Sequence, residues 1–143
     1  MENITPIIGK EFGPKVTPLI KQAKHSINII VYTWHWYPNQ IGSEIQKFNN
    51  AIIDAAKKGK QVRVITNFPY INPILSQLGI KVKKTNSKKT IHTKLIIIDN
   101  KIVIIGSHNY TMNAFTINYE VSIIIQNQDF SERLNEYFNN LWS

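Results

Sequence analysis

Four polar side chains within residues 92–109 of this 143-residue chain could act together on a phosphoryl group: His92, Lys94, Ser107 and Asn109. An imidazole can serve as nucleophile or as general acid and base near neutral pH. Lysine, serine and asparagine donate hydrogen bonds to non-bridging phosphate oxygens, whose charge needs stabilising in the transition state. Two continuous apolar runs lie between these groups, Leu95-Ile96-Ile97-Ile98 and Ile102-Val103-Ile104-Ile105, the pattern of strands buried on both faces. Asp99-Asn100 between them is good turn chemistry. If those two residues alone make the turn, Ile98 faces Lys101 and His92 falls opposite Ser107. Lys94 then shares the face of His92 by the strand period of two, and Asn109 extends that face. Gly106 allows a close backbone approach or a bend. A slip of one residue breaks this convergence. Asp99 lies roughly 20 Å from His92 along a strand rising ~3.3 Å per residue, so it reads as a structural turn residue rather than a catalytic carboxylate.

The elements that must position this hairpin can be read outward from it. Val16, Leu19, Ile20 and Ala23 have helical spacing over 14–24, with Pro14 suited to a first turn. Residues 27–33 form a β-branched strand that runs into the aromatic stretch 32–38. Ser43 can cap a helix reaching about Lys58, ended by Gly59, and 61–66 is the next strand. The segment 27–66 is therefore a candidate strand–helix–strand unit with a right-handed crossover. A short helix over 72–78, closed by Gly79, precedes a strand near 80–84, and 120–126 is a further strand. Asp129-Phe130-Ser131-Glu132 reads as a capping box for a closing helix that buries Leu134, Tyr137, Phe138 and Leu141. The expectation is one α/β domain over residues 1–143, a mixed sheet with helices on both faces.

The same residues carry a family resemblance. His92-Thr93-Lys94, four residues, Asp99, six residues, then Gly106-Ser107-His108-Asn109 resembles the HxKx4Dx6GSxN motif of the phospholipase D superfamily. The segment 55–64 resembles the helix-to-strand stretch upstream of that motif, and Asn118-Tyr119-Glu120 the downstream Asn-x-Glu. The resemblance implies a metal-independent, two-step transfer through a phosphohistidine, with no cofactor. His92 would attack phosphorus, and a second motif histidine would protonate the leaving oxygen and then activate water. Lys94, Asn109 and Ser107 would hold the phosphate, Glu120 would fix the His92 tautomer, and Asp99 and Gly106 would be structural. Large members carry two motifs per chain, whereas this sequence has one. The second histidine is therefore expected from a homodimer mate across a twofold interface. Independently, Asp54, Asp99 and Asp129 are scattered, which disfavours a two-metal nuclease.

Composition narrows the substrate. The formal net charge is +8. Fifteen lysines stand against two arginines, which favours sequence-tolerant phosphate binding over base reading. Lys81, Lys83, Lys84, Lys88 and Lys89 lead directly toward His92 and could guide a polyanion. Lys83, Lys84, Lys88, Lys89 and Trp36 are the candidate nucleic-acid contacts. His35, between Trp34 and Trp36, reads more simply as part of an aromatic strand end packed on the core than as a groove residue. His108, at the variable motif position, is expected to be non-catalytic, and His25 a surface residue. Zero cysteines exclude disulfides and cysteine-ligated metals. No apolar stretch reaches the ~18 residues of a membrane span, and no signal peptide is visible, so the expected compartment is the cytoplasm. The leading expectation is a homodimeric nuclease acting on DNA or RNA. The alternatives are a cardiolipin-type phospholipid phosphodiesterase and a non-catalytic nucleic-acid-binding module.

Overall fold

The computed structural model describes residues 3–86 and 88–143. Seven strands form one mixed sheet: β1 (Ile4–Ile8), β2 (Ser26–Ile30), β3 (Gln61–Ile65), β4 (Lys81–Lys83), β5 (Leu95–Ile98), β6 (Ile102–Gly106) and β7 (Val121–Gln126). Their order is β1-β7-β6-β5-β2-β3-β4. β2, β3 and β4 run parallel and the remaining pairs antiparallel.

The crossover helix between β2 and β3, α2 (Glu44–Lys57), starts where the sequence places it. Ser43 is extended, and its hydroxyl accepts the Gln46 N–H at 3.2 Å. Ile45, Phe48, Ile52 and Ala55 are buried along its inner side. Alternation along the strands then divides the core. Ile27 and Ile29 face α1 (Phe12–Lys21), α2 and α3 (Ile71–Gln77), joined by Ile96, Ile98 and Ile104. Ile30, Ile97 and Val103 face the closing helix α5 (Gln128–Trp142), where Phe138 is fully buried.

Three local expectations change. The cap of α5 is Asn127, two residues before the expected box: it is extended after β7, and its side chain accepts the Phe130 N–H at 2.8 Å. Asp129 consequently sits inside the first turn. Tyr137 stays exposed, with its hydroxyl 3.1 Å from Thr93 Oγ1. The β5–β6 register is one residue longer than a two-residue turn gives, since Ile98 pairs with Ile102. Asp99 and Asn100 both take left-handed φ values, 54° and 55°, and the Lys101 N–H closes the turn on the Ile98 carbonyl. Lys101 is then left as a bulge whose own carbonyl accepts the Asn127 N–H. Edge strand β1, the 3-10 turn Gly9–Glu11 that follows it and the short helix α4 (Met112–Thr116) lie outside the expectation altogether.

Candidate active site

One end of the sheet collects the chemistry because of strand direction alone. The C-terminal ends of β2, β3 and β6 and the N-terminal ends of β5 and β7 all lie there. His92 and Lys94 immediately precede or adjoin β5, Ser107 and Asn109 follow β6, and Glu120 precedes β7. Asp99 belongs to the opposite end. It accepts the backbone N–H groups of Lys24, His25 and Ser26 at 2.9, 2.7 and 3.0 Å, tying the hairpin turn to the start of β2. Burial pushes its carboxyl up, but those three donors and the nearby His25 outweigh it and hold the group below the ordinary aspartate value. His25 itself is an exposed side chain.

Lys94 Nζ lies 3.1 Å from His92 Nδ1 and 3.3 Å from Nε2. An ammonium can only donate, so a ring nitrogen with a free lone pair accepts from it. Tyr32 supports this pair from the end of β2, with its ring 5.1 Å from that of His92 and 5.6 Å from Lys94 Nζ. Burial lowers the Lys94 pKa below the ordinary lysine value, and the charge of Glu120 partly opposes that shift.

Ser107 belongs to a second group. With the longer register it does not face His92; it joins β7 instead, its N–H donating to the Val121 carbonyl. Its hydroxyl donates to Glu120 Oε1 at 2.5 Å and accepts the Val121 N–H at 3.0 Å. Asn118 Nδ2 donates to Glu120 Oε2 at 3.1 Å. Among the described residues Glu120 therefore has no hydrogen bond to His92. The β6–β7 ladder turns its carboxylate toward Ser107, and it reaches the His92–Lys94 pair through its charge on Lys94. Asn109 is placed by a third route: beyond Gly106 the chain runs beside residues 33–35, and Asn109 Oδ1 accepts the Thr33 N–H at 3.1 Å.

Gly106 is where β6 and β7 touch. A β-carbon there would overlap the Cα and side chain of Ser122, so only glycine fits. His108 is buried beside it and packs against Phe12, with the ring centres 4.6 Å apart and the planes tilted by 34°. Its Nε2 lies 2.8 Å from the Gly9 carbonyl and its Nδ1 2.7 Å from Ser122 Oγ. The carbonyl can only accept, so Nε2 carries the proton and Nδ1 accepts from Ser122. This histidine joins the segment after β1 to β7.

The lysine run divides. Lys83 donates to the Trp142 carbonyl at 2.7 Å and lies over its ring, securing the end of α5 rather than facing a ligand. Lys84 is exposed, while Lys88 and Lys89 line a cavity of about 380 Å³ with Tyr32, Asn67, Phe68 and Thr90. Trp36 is half-buried in a neighbouring cavity of about 240 Å³, between Phe68, Tyr70 and Ile74. Trp34 is core, as the aromatic strand end implies, but His35 is exposed and stacks on Phe68 at 5.0 Å. Sequence spacing gives no sign of Tyr32 or Phe68, because only strand pairing brings them to the site.

Residues 16–142 match the family described as cardiolipin synthase, PLD-like domain. The chain belongs to this phospholipase D-like family. It is 30% identical over 92 residues to the mitochondrial cardiolipin hydrolase of Canis lupus familiaris, covering 60% of this chain and 36% of that protein. To the same-named protein of Xenopus tropicalis it is 25% identical over 130 residues, covering 87% and 58%. The chain thus spans little more than a third to three fifths of these relatives. Among solved structures it resembles the phospholipase D family member Nuc of Salmonella typhimurium, with a TM-score of 0.79 and 24% identity over 97% of this chain and 94% of that one. NucT of Helicobacter pylori gives 0.78 and 21% with the same coverage. The seven-stranded mixed sheet with helices on both faces is the fold of this phospholipase D-like family. Among the described residues no helix is long and apolar enough to cross a membrane.

Proposed function

We propose that this chain is a phosphodiesterase of nucleic acid that works as a homodimer through a covalent phosphohistidine. The observation that carries this reading is the His92–Lys94 pair, a nucleophile and a cation 3.1 Å apart, with Tyr32 between His92 and a lysine-lined cavity. His92 of one copy attacks phosphorus and forms the P–N bond as the P–O bond to the leaving strand breaks. His92 of the second copy gives its proton to the departing oxygen. That same imidazole then takes a proton from water, whose oxygen displaces the first His92 from phosphorus and restores both rings. Lys94 and Asn109 hold the non-bridging oxygens, while Ser107, whose one hydroxyl proton goes to Glu120, positions that carboxylate, and Glu120 maintains the charge on Lys94. The excess of lysine and the net charge of +8 favour a polyanion.

A second reading has its own support. The matching family description and the curated relatives name cardiolipin, so a phospholipid headgroup is the competing substrate. The deciding experiment offers single-stranded DNA, RNA and cardiolipin vesicles in excess EDTA, with His92→Ala as control. Cleavage of nucleic acid that persists in EDTA and disappears in His92→Ala supports the proposal. Strict dependence on added divalent metal, or turnover of cardiolipin alone, overturns it.

A further inference from the structure

Beyond β2 and β3, two loops leave the site end of the sheet side by side and carry an unusual density of exposed rings. Tyr32 is 44% exposed and Tyr70 75% exposed. Between them Phe68 stacks on His35 at 5.0 Å, with 21° between the planes, and meets the Tyr70 ring edge-on at 5.4 Å. Phe68 is the wall shared by the two cavities of about 380 and 240 Å³. The nearer one begins at Tyr32, whose ring lies against His92. The phosphoryl chemistry given above uses neither Phe68 nor Tyr70.

We propose that Tyr32, Phe68 and Tyr70 form a stacking track for unpaired nucleobases, so that the substrate is a single strand. The base beside the scissile phosphate enters between Tyr32 and Phe68. The next base lies on the open face of Tyr70, in the cavity that Trp36 and Phe68 also line. Aromatic faces accept any base, and stacking on them is sequence-tolerant, in keeping with the scarcity of arginine forks. The nearer cavity combines the rings with Asn67, Thr33 and Thr90, which suit the polar edges of bases, and with Lys88 and Lys89, which suit the connecting phosphates. An acyl chain would cover those polar groups without forming a hydrogen bond to them. A duplex cannot use the track, because its base faces are already covered by their neighbours. The inference rests on the nucleic-acid reading given above and specifies its substrate.

The test uses the full chain carrying His92→Ala, so that oligonucleotides stay intact, and measures binding by fluorescence anisotropy. The probes are a short single-stranded DNA, the same strand with abasic sites, the matching duplex and cardiolipin vesicles. The intact single strand is expected to bind about tenfold tighter than the abasic one, the gain typical of one or two stacked bases. Tyr70→Ala and Phe68→Ala should each remove most of that difference, and Phe68→Trp should restore it. Tyr70 is largely exposed, so its variant decides the matter even if Phe68→Ala fails to fold. Equal binding of intact and abasic strands, preference for the duplex, or vesicle binding that Tyr70→Ala abolishes overturns the track. Cleavage by the unmodified chain is scored separately. Equal cutting of intact and abasic strands removes the track and leaves the nuclease standing. Stacking-dependent binding without any cutting removes the nuclease and leaves the track.

Discussion

Lys94 holds its ammonium 3.1 Å from His92 Nδ1 while Glu120, hydrogen-bonded elsewhere, acts on it only through charge. Burial lowers the Lys94 pKa and Glu120 raises it, so the group loses its proton at a lower pH than an ordinary lysine. The charge proposed to hold phosphate is present below that lowered value and disappears above it. Activity should therefore fall on the alkaline side earlier than an exposed lysine would allow. In Lys94→Arg the limb should move to higher pH, because guanidinium does not titrate in this range. In Glu120→Gln it should move lower, since the opposing charge is gone. Lys94→Met should cost about 10²–10³ in kcat, the usual loss of one transition-state donor. A pH–rate profile that Glu120→Gln leaves in place would sink this coupling.

Asp99 has a purely mechanical task at the far end of the sheet. Replacing it with alanine leaves the N–H groups of Lys24, His25 and Ser26 without their acceptor and should destabilise the fold by about 1–3 kcal/mol. Its folded pKa is depressed, so its contribution is complete above the unfolded value and fades as pH falls through the folded one. Urea titrations of Asp99→Asn and the unmodified chain should thus differ most near neutral pH and converge in acid. A gap that persists unchanged in acid would contradict the assignment.

Much of this arrangement is legible in the residues, and the failures have local causes. Isoleucine runs, the Ser43 cap and Gly59 locate β2, α2 and β3 because each signal is confined to one segment. The β5–β6 register is not so confined. Both turn residues adopt positive φ, and Lys101 bulges to reach Asn127, a residue that sequence spacing cannot connect to it. Ser107 consequently meets Glu120 rather than His92. β1 is obscured by Pro6 in its middle, tolerable only because β1 lies at the sheet edge. His92 and Lys94 are two residues apart and are visible as a pair. Tyr32 and Phe68 become neighbours only after β2 and β3 align in parallel, so the aromatic track has no sequence signature.

Gly106 offers a sharper packing test. Gly106→Ala places a methyl group into the backbone of Ser122, which also bonds buried His108. Strands β6 and β7 would have to separate, at a cost of about 1–3 kcal/mol or more. The Ser107–Glu120 bond lies one residue further on, so activity should fall more steeply than stability. Thermal unfolding and kcat measured on the same preparation check this, and a variant with normal values for both would exclude the close approach.

The apolar face of β1 and β7 leads to the proposed second copy. Ile8 pairs with Val121, and both are exposed, at 59% and 62%, beside exposed Ile117 and Tyr119. α5 covers Ile97 and Val103 but leaves this edge of the sheet open. A patch of this kind next to Glu120 is suited to a twofold contact that carries a second His92 to the first. Light scattering should give twice the 16.5 kDa chain mass. Val121→Asp should yield a folded monomer, because the side chain is exposed within one chain, with activity reduced by about 10² or more. Subunit mixing is the stronger check. If each reaction requires the His92 of both copies, equal parts of unmodified and His92→Ala chains, re-equilibrated, should keep about a quarter of the activity of the same total amount of unmodified chain. Independent sites would keep about half. A value near half, or a fully active Val121→Asp monomer, would rule out a site shared between two copies.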